Sequence, residues 1–225
     1  MEDSDYFKFD IVTVFPALLF VLIMWTVYWL EIKFNFRFNR YGIQPQVVSG
    51  LQGILFGPFI HSGLKHLWSN SLPSLVLITA LFFFYRRISL FVLIIGLLLT
   101  GILTWLIGRP SYHIGASGVV YMLTAFLFFK GLFTGHYKLL ALSFLVAFFY
   151  GSMVWYVLPI EQGISWEGHM SGAISGIVLA IFTKNKLPQK KKYLWELEHY
   201  NEDEDPFMRH FDENGNFIDI SQEEE

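Results

Sequence analysis

The sequence predicts an all-α membrane protein, a bundle of six transmembrane helices whose fourth and sixth members are short and stand around an aqueous cavity open to the outside. Three observations predict it. The 225 residues are 54% hydrophobic and 19% aromatic with only 16% charged, too apolar for an ordinary soluble domain. Between Glu31 and Lys184 the only acidic residues are Glu161 and Glu167, and the basic ones are Lys33, Arg37, Arg40, Lys65, Arg86, Arg87, Arg109, Lys130 and Lys138. The apolar residues gather into runs approaching the roughly 20 needed to cross about 30 Å of hydrocarbon.

The runs place the six spans at 11–30, 66–85, 88–107, 117–129, 139–159 and 169–183. The first is too long, and its flank too acidic, for a cleaved signal peptide. Orientation follows the lysines and arginines of short connections. Arg86 and Arg87 join the second and third spans, Lys130 and Lys138 the fourth and fifth, and Lys184, Lys186 and Lys190 to Lys192 follow the sixth. Those flanks are expected on the cytoplasmic side, with residues 1–10 and the charged tail 184–225. Lys33, Arg37 and Arg40 then fall outside; interleaved with Phe34, Phe36 and Phe38, they read as an interfacial segment with snorkelling cations. In the tail, with its 6 basic and 12 acidic residues, Asn201 to Asp205 reads as solvated and largely flexible.

The same composition excludes chemistry. Without cysteine there is no thiol nucleophile, disulfide or Cys-ligated zinc. Two carboxylates in the apolar region leave little for a metal cage or an acid-containing triad, and no His-Glu-x-x-His is present, so neither metal nor other cofactor is expected. No basic balance suggests nucleic acid.

Depth brings the remaining polar residues together. At about 1.5 Å per helical residue, Ser117 lies about 20 Å from Lys130, His169 about 22 Å from Lys184, Asn70 about 24 Å and His66 about 30 Å from Arg86. A serine, a histidine and an asparagine therefore share one level of the outer leaflet, with a second histidine just above. Singly, each has a bland reading: Gly115, Gly118, Gly172 and Gly176 are residues of close helix packing, a serine bonds to a backbone carbonyl, and a histidine sits at an interface. Together they are a hydroxyl, a base and donors, the parts needed for acyl transfer.

These residues resemble a family. Gly115-Ala116-Ser117-Gly118 is similar to the Gly-x-Ser-Gly motif of rhomboid intramembrane serine proteases, and His169-Met170-Ser171-Gly172-Ala173-Ile174-Ser175-Gly176 to their later His-x-x-Gly-x-x-x-Gly helix. His61-Ser62-Gly63-Leu64-Lys65-His66-Leu67-Trp68-Ser69-Asn70 resembles the two histidines and the asparagine of their second helix. The resemblance covers about residues 50–183. It departs at Gly50-Leu51-Gln52-Gly53, where many members carry a Trp-Arg pair.

The resemblance implies a Ser117–His169 dyad, Ser117 as nucleophile and His169 as base and then acid. It implies an oxyanion hole made of the Ser117 backbone N–H with His66 and Asn70. Tyr121 would pack on the His169 ring, Gly172 and Gly176 would let the sixth helix approach the fourth, and His61 would serve either within the first loop or directly in catalysis. His113, His136, His199 and His210, outside the motifs, are expected at the surface. The implied substrates are membrane proteins whose transmembrane segments enter from the bilayer past helices 2 and 5 and a cap at Glu161 to Glu167, hinged at Pro159 and Gly163. The expected location is a bacterial inner membrane. Two rivals are a proteolytically inactive rhomboid-like protein that binds transmembrane helices, and a transporter or channel, which would normally carry intramembrane charges.

Overall fold

The computed structural model describes residues 9–160 and 163–184 and, beyond them, 193, 198, 200, 201, 205, 207–212 and 214–218. The chain divides into two units, residues 4–186 and residues 187–225 with 1–3. Among the described residues the structure is helical, with no strand beyond two isolated bridges, Ile43 with His113 and Phe211 with Phe217.

The larger unit contains α1 (Ile11–Phe34), α2 (Gly53–Phe56), α3 (Leu64–Phe84), α4 (Ser89–Ile107), α5 (Ser117–Thr134), α6 (Tyr137–Tyr150) and α7 (Trp166–Phe182). A 3-10 segment, Gly151–Val157, continues α6. Among the described residues, five stretches are long and apolar enough to cross a membrane: α1, α3, α4, α5 and the combined Tyr137–Val157. α7 is apolar but spans 17 residues.

Two of these helices, α1 and α7, start on a side-chain cap. Asp10 caps α1 through a reciprocal pair, its carboxylate accepting from the Thr13 N–H at 3.2 Å while the Thr13 hydroxyl accepts from the Asp10 N–H. The other Asp10 oxygen meets Arg86 at 2.7 Å, which brings the start of α1 beside the turn between α3 and α4. Ser165 caps α7, accepting from the Gly168 N–H at 3.3 Å.

The fourth expected span is five residues too short. α5 runs on to Thr134, and Lys130 lies inside it, 8% exposed, rather than in a connecting loop. Its ammonium donates to the Ala180 carbonyl at 3.0 Å and to the Thr183 carbonyl. These are C-terminal carbonyls of α7, short of partners within their own helix and at its negative end, so the cation is satisfied without leaving the bundle.

Between α1 and α3, α1 ends on Asn35 in a left-handed conformation (φ 53°). The Phe38 N–H donates to the Glu31 carboxylate at 2.9 Å. Phe34, Phe36, Phe38 and Tyr41 form a run of ring contacts 5.5–6.2 Å apart. Where the family's Trp-Arg pair is missing, Gly53 lies against the backbone of Gly42 and Ile43, and a side chain there would overlap it.

In the smaller unit, Asp212 accepts from the backbone N–H groups of Asn214 and Asn216 at 2.9 and 2.8 Å, closing the turn between Phe211 and Phe217. His210 is half-buried and stacks on Phe217. Residues 202–204, lysines 190–192, His199 and Glu161 lie outside the described residues.

Candidate functional site

Ser117 opens α5, so its N–H is among the first-turn donors that a helix leaves unpaired. The turn leading into it needs Gly115, which has φ +102° and whose Cβ would lie 2.6 Å from His66 Nε2. Gly115 donates its N–H to the Gly57 carbonyl at 2.9 Å, and His113 and Ile43 exchange backbone hydrogen bonds of 2.8 and 2.9 Å. The loop between α1 and α3 thus holds the serine's approach in place.

His169 is 7% exposed, one turn into α7, and its Nε2 lies 3.0 Å from Ser117 Oγ. Its Nδ1 lies 2.9 Å from the Tyr156 carbonyl. A carbonyl only accepts, so Nδ1 carries the hydrogen and Nε2 is left to accept from the serine hydroxyl. Tyr121 stacks on the imidazole, ring centroids 4.2 Å apart and planes 11° from parallel, and donates its hydroxyl to the Met153 carbonyl at 2.8 Å. Both carbonyls belong to the 3-10 segment 151–157, a contribution invisible in a sequence because any residue type supplies it.

Close helix packing makes the 3.0 Å approach possible. A Cβ on Gly172 would overlap the Gly118 carbonyl oxygen, and one on Gly176 the Met122 carbonyl oxygen. Gly118 faces Thr100 and the Gly168 carbonyl.

His66 and Asn70 stand one turn apart on α3. Asn70 is 4% exposed and its Nδ2 donates to the His66 carbonyl at 2.9 Å; Ser62 Oγ lies 3.2 Å from His66 Nδ1. Both side chains aim their nitrogens at the space above Gly115, two residues before the serine, where a Cβ would meet His66 Nε2 at 2.6 Å and Asn70 Nδ2 at 3.8 Å. His61 is 1% exposed, its ring 5.0 Å from that of His66 and its Nδ1 3.3 Å from the Phe59 carbonyl. Burial, with the neighbouring His66 adding to it, pushes the His61 imidazole down to about 4.

One expectation needs correction. His113 is buried, 5% exposed, with Nδ1 2.5 Å from Ser165 Oγ and Nε2 3.1 Å from the Arg109 carbonyl. Its partner Ser165 is 52 residues away, which no local motif reveals. A buried carboxylate does exist next to the histidine: Glu167 is 1% exposed. It does not orient the imidazole, because residues two apart on a helix point about 200° apart. Its carboxylate pairs with Arg109 at 3.2 Å instead. A cavity of about 40 Å³, room for a few waters, lies against Ser117, Thr100, His113 and Ser165.

The family model described as "Rhomboid domain" matches residues 48–186. The chain belongs to the rhomboid family. The match takes in every residue of the site from His61 to Gly176. Relatives of this rhomboid protein occur in mycobacteria: the uncharacterized Rv1337 of Mycobacterium tuberculosis is 34% identical over 174 residues, 72% of each chain. The uncharacterized ML1171 of Mycobacterium leprae is 32% identical over 174 residues, 72% of this chain and 68% of its own.

Proposed function

We propose that this rhomboid protein is an intramembrane serine endopeptidase that cleaves transmembrane segments of membrane proteins with a Ser117–His169 dyad. The observation that carries the reading is the 3.0 Å contact between Ser117 Oγ and the imidazole nitrogen left unprotonated by the Tyr156 carbonyl. Ser117 Oγ attacks the scissile carbonyl carbon while His169 Nε2 takes its proton. The C–N bond then breaks as that proton passes to the leaving amine. Water, deprotonated by His169, attacks the acyl-serine, and the proton returns to Ser117 as the acid product leaves. The Ser117 N–H, Asn70 Nδ2 and His66 Nε2 stabilise the oxyanion, His66 acting in the tautomer whose Nε2 carries the hydrogen and whose Nδ1 accepts from the Ser62 hydroxyl. His61 packs on the His66 ring and takes no part in the chemical step.

In this reading α7 completes a six-span bundle in a bacterial inner membrane, with both flanks of the bundle cytoplasmic and the dyad reached by water from outside. The substrate segment unwinds into that cavity from the lipid. The test is labelling of the full chain in liposomes by a fluorophosphonate, alongside cleavage of a model transmembrane substrate. Labelling that disappears in Ser117→Ala and His169→Ala supports the dyad; a parent that is neither labelled nor active is instead a rhomboid-like protein that binds transmembrane helices without cutting them.

A further inference from the structure

Ser117 and His169 are carried by different parts of the chain, and the glycine packing between α5 and α7 leaves two motions open. Glycines at 118, 172 and 176 set how closely the two helices approach. A smooth small-residue contact resists neither rotation of α7 about its axis nor sliding along it; Lys130 of α5 ties the C-terminal end of α7, but at the end that carries His169 a single hydrogen bond at the dyad is weak restraint. Directional polar contacts at the first turn of α7 would supply what the glycines do not.

Such contacts are present. Arg109, in the linker from α4 to Ser117, places Nε 3.2 Å and its backbone N–H 3.3 Å from one oxygen of Glu167, in the first turn of α7. Its guanidinium also donates to the Ile164 carbonyl, so one arginine holds both sides of the helix cap. Ser165, the cap itself, is joined to His113 of the same linker at 2.5 Å. His113 Nε2 faces the Arg109 carbonyl, an acceptor only, so Nε2 carries the hydrogen and Nδ1 accepts from the Ser165 hydroxyl, whose oxygen in turn accepts from the Gly168 N–H. Glu167 and His113 are both buried. The Arg109 side chain of the pair is 44% exposed, and an ion pair open to water on one side gives little net stability, which points to direction rather than stability as its use.

We propose that Arg109, Glu167, His113 and Ser165 are positioning residues, a polar clamp that fixes the rotation and axial register of α7 against the Ser117 linker and so holds His169 Nε2 on the serine. The clamp deepens the protease reading and rests on it. The Glu167 arm works from the face of α7 opposite His169 and the Ser165 arm from the cap one turn before it, and neither is bonded to the Ser117 hydroxyl or the His169 imidazole.

The experiment uses the full chain in detergent with Arg109→Gln, Glu167→Gln, the double variant and Arg109→Lys. Three quantities are measured: the fluorophosphonate labelling rate, kcat and KM on a transmembrane substrate, and the thermal midpoint. Each single glutamine variant is expected to lower labelling and kcat together by about tenfold or more, as a displaced catalytic group does, with KM near the parent's. The double variant should be no worse than the poorer single, and Arg109→Lys should recover part of the rate. A lowered midpoint with labelling at the parent's rate reveals a merely structural pair, and a rise in KM alone a substrate contact; either overturns the clamp. A readout independent of activity uses the absence of native cysteine. Spin labels on Tyr112→Cys and Val178→Cys should show a single narrow distance in the parent and a broader one in the glutamine variants. Unchanged distances overturn the clamp, whereas an unlabelled parent with the expected broadening overturns the protease reading alone.

Discussion

Tyr121 and His169 lie face to face, ring centroids 4.2 Å apart and planes 11° from parallel, while the tyrosine hydroxyl reaches past the imidazole to the Met153 carbonyl at 2.8 Å. The residue therefore holds the histidine in two ways. The ring blocks tilting of the imidazole, and the hydroxyl anchors the segment whose Tyr156 carbonyl fixes the tautomer. Tyr121→Phe keeps the ring and loses one hydrogen bond, worth about 1 kcal/mol, so activity should stay within about tenfold of the parent. Tyr121→Ala frees the imidazole and should cost on the order of 10²-fold in kcat. Equal losses in the two variants, measured as single-turnover acylation, would show that the stack does nothing.

Asn70 and His66 test the oxyanion assignment separately from the dyad. If their nitrogens stabilise charge that exists only in the transition state, Asn70→Ala should lower kcat by about 10²- to 10³-fold and leave KM almost unchanged. Ser117 would remain the labelled residue, only more slowly. Asn70 also bonds to the His66 carbonyl within its own helix, so a modest drop in thermal midpoint is expected alongside. A midpoint drop with full activity would reduce Asn70 to a helix-stabilising residue.

The residues legible in the sequence were those whose chemistry is carried by local spacing. Gly115 to Gly118 and His169 to Gly176 are short motifs, and they and the His61 to Asn70 stretch have fixed neighbours. What escaped was non-local. Lys130 reads as the end of a span because a cation normally leaves lipid, yet the open carbonyls of α7, 50 and 53 residues on, receive it. His113 reads as a surface residue until Ser165 is placed beside it, and Glu167 as a mere count of carboxylates until Arg109, 58 residues earlier, is seen to pair with it. The Tyr156 and Met153 carbonyls had no signal at all, since backbone groups are common to every residue.

Gly172 and Gly176 test whether helix approach is a condition for chemistry. A Cβ at either position overlaps a carbonyl oxygen of α5, an atom of rigid helical backbone that has little room to yield. Either alanine variant should push α7 away from α5 and separate His169 from Ser117. Overpacking of this kind costs about 1–3 kcal/mol, so Gly172→Ala should fold at reduced stability and show a larger fall in labelling than in thermal midpoint. Gly135→Ala would not serve as a control, because φ there is +67°. Gly151, whose Cβ would meet nothing within 4 Å, is the control, and Gly151→Ala should label at the parent's rate. Wild-type labelling in both Gly172→Ala and Gly176→Ala would mean that the helices need not touch this closely.

His61 should leave its mark on stability against pH rather than on the chemical step. Buried behind His66, it is held neutral, its imidazole pushed down to about 4 from an ordinary value near 6.5. In the unfolded chain it binds a proton at the higher value. Between those two pH values the unfolded state therefore holds more protons than the folded one, and stability rises with pH. The contribution is fully present above about pH 6.5, falls as pH drops from there to about 4, and changes no further below that; over the whole window it amounts to roughly 3 kcal/mol. Thermal midpoints of the full chain in detergent, taken from pH 7 to pH 4, should fall along this path. His61→Asn, which cannot be protonated, should be less stable at pH 7 because it loses packing against His66, but its midpoint should depend less on pH by the amount assigned to His61. A variant that keeps the parent's full pH dependence would place the titrating group elsewhere.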